Sequence, residues 1–191
     1  MKIKCIKFLF IISLLINSSL CKSQQQYPLN TDYEEVPNYS YLKDLDNELD
    51  AYVGNYKATF QGKEIILFIT KQENKLEKRV NIKFYRDALI VKYIVKDPAG
   101  NILQDTKNNN LPDIELYSTR IRSYDKSVIF YYSGTNCGVG WGDIFLKKIS
   151  NTQFSWEYRP DDMIITPERC PGNPDLTIYL PKTKDLIFTK Q

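Results

Sequence analysis

The sequence predicts a mainly β protein: an antiparallel meander closing into an up-and-down barrel, with one short N-terminal helix. Three observations lead there. From Val53 onward apolar and polar residues alternate with a period of two, the mark of strands that bury one face. Clusters of Asn, Asp, Gly, Pro and Ser interrupt this pattern at short intervals, so consecutive strands read as hairpins. Neither a βαβ alternation nor an internal repeat is visible. About nine or ten strands would lie in roughly 135 residues, and closing such a meander removes its exposed edges. A two-layer sandwich is the alternative.

In chain order, residues 1–23 read as a secretory leader. Lys2, Lys4 and Lys7 form a positive start, and Phe8 to Ile16 is an apolar run too short to span a membrane. Cys21-Lys22-Ser23 supplies small residues at −3 and −1, which places cleavage between Ser23 and Gln24. A lipoprotein anchored through Cys21 is the rival, but Leu20 precedes that cysteine where a small residue is wanted. An uncleaved N-terminal anchor is the third reading, disfavoured by the Gln-rich stretch that follows. Residues 24–40, with Pro28 and Pro37, predict an extended arm, and residues 41–191 a single barrel-like domain.

Leu42, Leu45, Leu49 and Tyr52 share one face at helical spacing, with Ser40 as N-cap and Asp44, Asp46, Glu48 and Asp50 outward. That is the predicted helix. Tyr56, Ala58 and Phe60 then alternate inward, Gln61-Gly62-Lys63 turns the chain, and Ile65, Leu67 and Ile69 bring it back. Residues 74–79 read as a charged loop. Leu89, Val91, Tyr93 and Val95 mark a strand over 88–96, residues 97–101 a turn, 102–106 a returning strand and 107–110 a loop. Further strands are predicted at 114–117, 119–121, 128–132, 143–149, 153–159, 176–180 and 186–189.

The 191 residues carry 26 basic and 23 acidic side chains, a formal charge of +3. Removing Lys2, Lys4, Lys7 and Lys22 with the leader leaves 22 against 23, a net of −1. The basic excess belongs to the leader, and neither a basic stripe nor a motif points to nucleic acid. Histidine is absent, which excludes a Ser-His-Asp triad, a Cys-His pair and imidazole metal ligands. Of four cysteines, Cys5 and Cys21 leave with the leader. Cys137 and Cys170 remain, and in an exported protein they are expected to form a disulfide. The alternative, a catalytic thiol, lacks a histidine base.

Four constellations are candidates for function. Val53-Gly54-Asn55-Tyr56, at the entry to the first barrel strand, resembles the Gly-x-Trp element that opens lipocalin-like barrels, with Tyr56 in place of Trp. The resemblance implies that Tyr56 closes one end of a lipocalin-like barrel beneath a basic residue of the last strand, here Lys190. The stretch from Gly134 to Asp143 holds four of the eight glycines. Its spacing is not that of a phosphate loop, and its simpler reading is a tight strand entry pinned by Cys137 and stacked on Trp141. Phe154, Trp156 and Tyr158 share a strand face, either core or a stacking platform for an apolar or sugar ligand. Asp143, Glu157, Asp161 and Asp162 are the candidate acids of a carboxylate hydrolase, with Glu168 nearby. No EF-hand spacing is present, and no metal or cofactor is predicted.

A wider resemblance rests on motifs in fixed order: Tyr27-Pro28-Leu29-Asn30-Thr31, Tyr41-Leu42-Lys43-Asp44-Leu45-Asp46, Tyr52-Val53-Gly54, Tyr85-Arg86-Asp87, Asn136-Cys137-Gly138, Cys170-Pro171, Leu180-Pro181 and Thr189-Lys190-Gln191. Together they are similar to a family of small exported bacterial proteins of unknown function. The resemblance implies export and a single domain but no catalytic residue. The expected function is a non-enzymatic binding module of the cell envelope or exterior. Tyr56, Trp141, Trp156 and Tyr158 are its candidate ligand residues, for a small apolar or carbohydrate ligand or an envelope protein. A structural or protein-interaction role without a pocket is the alternative, and hydrolysis by paired carboxylates ranks behind both.

Overall fold

A computed structural model describes residues 24–108 and 114–191. The predicted leader, with Cys21 and the cleavage point, lies outside the described residues. The described residues form eleven strands: β1 Gln26–Pro28, β2 Tyr41–Lys43, β3 Gly54–Phe60, β4 Lys63–Lys78, β5 Lys83–Lys96, β6 Ile102–Asp105, β7 Leu116–Ile121, β8 Val128–Tyr132, β9 Gly142–Lys148, β10 Gln153–Pro160 and β11 Leu186–Lys190.

Eight of them close a barrel. Around the ring run β5, β4, β3, β11, β10, β9, β8 and β7, and β7 returns to β5 through Ile90 and Tyr117. Every neighbouring pair in the ring is antiparallel and, apart from the excursion through β6, follows chain order, so the barrel is an up-and-down meander rather than a sandwich. The β3–β4 turn places Gln61 at φ 49° and Gly62 at φ 77°, two left-handed residues whose twist matches the strands they join.

Long β5 serves three partners along its second edge. Arg86 pairs with β2, Ile90 with β7, and Ile94 to Lys96 with β6. Its first residues continue with the end of β4 beyond a bulge between Gln72 and Lys75. There β2 and then β1 add in parallel, making a four-stranded extension of the barrel wall. Residues 74–79, predicted as a loop, are largely strand: the bulge, with Asn74 at φ 54°, shifts the register and pairing resumes. This extension has its own apolar cluster of Val36, Leu42 and Phe84, flanked by Tyr27, Tyr33 and Ile82.

The predicted N-terminal helix does not form. Tyr41–Lys43 is strand, and only Asp50–Tyr52 makes a 3₁₀ turn. Asp44, expected to point outward, is buried. Its carboxylate accepts the Glu48 and Leu49 amides at 2.9 and 3.1 Å, a local bonding pattern that competes with helix. Leu42 faces the extension cluster and Leu49 the barrel, so one apolar stripe serves two cores. Among the described residues no helix is long and apolar enough to cross a membrane.

Residues 176–180, predicted as a strand, instead cross one end of the barrel. Leu180 is buried there, the Trp156 indole donates to the Pro181 carbonyl at 3.0 Å, and Asp175 holds the Thr177 amide and the Tyr179 hydroxyl. Prolines on both sides of this segment disfavour sheet pairing. Tyr52 and Leu49 pack at the opposite end, where Tyr52 meets Phe154. Cys137 and Cys170 form the expected disulfide, with Cα atoms 5.6 Å apart.

Candidate functional site: a cleft outside the barrel

The lumen is packed with side chains. Leu67, Leu89, Val91, Phe130, Ile144 and Phe188 fill its middle, and rings fill the rest. Tyr56 lies 4.6 Å from Phe154 between ring centroids, and Trp156 lies 5.5 Å from Phe188. Tyr93 and Tyr132 share a hydroxyl–hydroxyl bond of 3.1 Å, and the Tyr158 hydroxyl donates to the Gly140 carbonyl. Three of the four aromatic candidates, Tyr56, Trp156 and Tyr158, are thus at most 4% exposed and engaged in the core. The cavity expected around them is taken up by these side chains. Trp141 stands apart, exposed at the start of β9. Lys190 does reach over Tyr56, its ammonium 5.8 Å from the ring and 3.0 Å from the Val53 carbonyl.

The glycine-rich stretch packs backbone against backbone. A Cβ on Gly142 would lie 2.4 Å from the Arg159 carbonyl, and one on Gly134 would lie 2.5 Å from Gly138. Among the candidate acids, Glu157 is held by Arg159 at 2.8 Å, with Lys184 at 3.7 Å. Asp161 and Asp162 are exposed beyond the end of β10. Asp143 lines a cavity, and its carboxyl is pushed up by partial desolvation and by Asp161, against Arg120 and Arg159.

That cavity lies on the outside of the barrel and has a volume of about 480 Å³. One wall is the N-terminal arm from Leu29 to Glu34. The floor belongs to the extension, through Leu42 and Arg86 with Arg79 beside them. The far wall is the outer face of β7, β8 and β9, through Thr119, Arg120, Ile129, Tyr131 and Asp143. The arm is fixed in place. Asn30 Oδ1 accepts the Ile121 amide at 2.9 Å, Asp32 caps the Glu34 amide at 3.0 Å, and Tyr33 stacks on Phe84 at 5.2 Å.

The buried group of the cleft is Arg86. It is 6% exposed, its Nε has no hydrogen-bond partner, and its Nη2 makes one long bond of 3.4 Å to the Leu29 carbonyl. Burial pushes its pKa down to about 10. Glu77 opposes this, whereas Arg79 and Arg120 add to it. Glu77 itself is taken by the Lys75 ammonium and the Tyr117 hydroxyl. The sequence gives no sign that Arg79, Arg86 and Arg120 act together, although Arg86 stands in the Tyr85-Arg86-Asp87 motif, because Arg120 lies more than thirty residues further along the chain. The one available signal was a charged pair, Arg86-Asp87, inside an otherwise apolar strand pattern.

Among the described residues no cluster of three or more Cys, Asp or Glu side chains is arranged to hold a metal ion. Residues 3–191 match the family of unknown function DUF6705, and the chain belongs to that family. No curated protein and no solved structure matches it.

Proposed function

We propose that this chain is an exported, non-enzymatic binding module whose ligand occupies the cleft outside the barrel rather than its lumen. The observation that carries this reading is the cleft itself, a polar and apolar concavity built by three separate parts of the fold over a buried, under-bonded arginine. Export is supported by the leader pattern of residues 1–23 and by the disulfide, a bond favoured outside the cytoplasm. The placement of Lys190 over Tyr56 favours a lipocalin-like kinship for the barrel, but with ligand binding moved from the inside to the outer wall. A small-molecule site is favoured over a partner-docking arm because the arm already pairs and stacks with its own chain.

The test is to fill the cleft. Thr119→Trp puts a large ring on the outer face of β7 without touching the core. A small-molecule library screened by thermal shift should give ligands for the native protein that lose their effect on Thr119→Trp, while circular dichroism of the two is the same. Ligands whose effect survives the substitution, or a screen without ligands, would overturn the reading.

A further inference from the structure

We propose that the cleft takes a small organic anion, with a carboxylate or phosphate head on Arg86 and an apolar body against Ile129, Leu42 and Tyr131. This deepens the binding reading above and rests on it. A buried guanidinium normally has its donors satisfied, because an unpaired charged donor carries its full desolvation cost. Arg86 departs from that rule: its Nε is unpartnered and Nη2 has a single long contact. These two donors form one edge of the fork that a carboxylate or phosphate meets with two parallel bonds. Glu77, the acid whose charge favours the Arg86 cation, is committed to Lys75 and Tyr117.

Charge around the cleft narrows the ligand further. Arg79 and Arg120 add positive potential to the floor, as the lowered pKa of Arg86 reflects. The mouth is mixed: Asp32 and Glu34 stand exposed on the arm, and Asp143 faces Arg120 and Arg159. A ligand with several negative charges would meet these acids, whereas a single anionic head reaching the floor would not. A volume of about 480 Å³ suits a body of a ring or a short chain behind that head.

Four probes test this by isothermal titration calorimetry on the intact protein: benzoate, phenyl phosphate, inorganic phosphate and the neutral benzamide. Benzoate or phenyl phosphate should bind at least tenfold more tightly than benzamide and than phosphate alone, and their ratio tells a carboxylate site from a phosphate site. Arg86→Lys, which keeps the charge but not the fork, should weaken the better anion more than tenfold. Because a buried substitution can impair folding, Arg120→Ala on the exposed rim is the second variant and should weaken it several-fold. Benzamide binding as well as the anions, with all binding lost in Thr119→Trp, overturns the anion assignment and leaves the cleft standing as a site. No binding by any probe, or anion binding unchanged in Arg120→Ala and in folded Arg86→Lys, overturns the assignment as well.

Discussion

Gly142 opens β9 at φ 148°, and a Cβ there would meet the Arg159 carbonyl at 2.4 Å, the Asp161 amide nitrogen at 3.0 Å and the Pro160 Cα at 3.1 Å. All three obstacles are backbone, so a rotamer change gives no relief. Gly142→Ala should therefore destabilise the fold by about 2–4 kcal/mol, steric overpacking and the left-half backbone conformation acting together. Urea unfolding checks this, and a loss below about 0.5 kcal/mol would show that β9 and β10 separate at little cost. Gly54 shares the backbone strain at φ 143° but not the backbone clash: its Cβ would meet the flexible end of Lys190, which can swing aside. This structural use of glycine was legible in the sequence; the arginine site was not. Aromatic size at alternating strand positions mostly reports core, as Trp156 and Tyr158 demonstrate. Arg86 was hidden because its meaning depends on Leu29, Arg79 and Arg120, which come near it only through the docking of the arm and the pairing of β5 with β4 and β7.

At the scale of elements, period-two alternation identified the β3–β4 hairpin, β5 and β10, because each turns one face to the barrel core. It failed where a segment packs on something else. The end of β4 faces the extension rather than the lumen, so its residues do not alternate, and residues 176–180 bury Leu180 across a barrel end without pairing. That crossing segment depends on the disulfide, which ties Cys170 back to the β8–β9 connection through a separation of 33 residues. In the loop-entropy account such a link contributes roughly 3.5–4 kcal/mol. Reduction, or the paired substitution of both cysteines by alanine, should lower stability by about 2–4 kcal/mol. The change should also be local. Amide exchange should rise first in residues 161–180, while the β3–β4–β5 wall keeps its protection. Uniform loss of protection across the barrel would mean that the crossing segment is no separate unit.

The whole molecule is built around neutral phenols. Burial raises Tyr56, Tyr93, Tyr132 and Tyr158 inside the barrel, and it is the leading cause for Tyr41, Tyr52 and Tyr117 near its edges. Tyr117 and Tyr132 are pushed up to about 12. In the unfolded chain each phenol would ionise near its ordinary value of about 10. The linkage has one sign for all seven. Below pH 10 the phenols are neutral in both states and the stability is intact. Above it the unfolded chain releases protons that the folded barrel retains, so stability falls as pH rises. With no histidine in the chain, the interval from pH 5 to 8 lacks the side chain that ordinarily titrates there. The expected profile is broad and even through neutral pH, with steep alkaline loss between pH 10 and 12. Absorbance at 295 nm should show the buried tyrosines ionising only as circular dichroism reports unfolding. If Tyr56, Tyr93, Tyr132 and Tyr158 instead ionised near pH 10 with the barrel still folded, the packed lumen would be open to water, and the case for moving the ligand to the outer wall would fall with it.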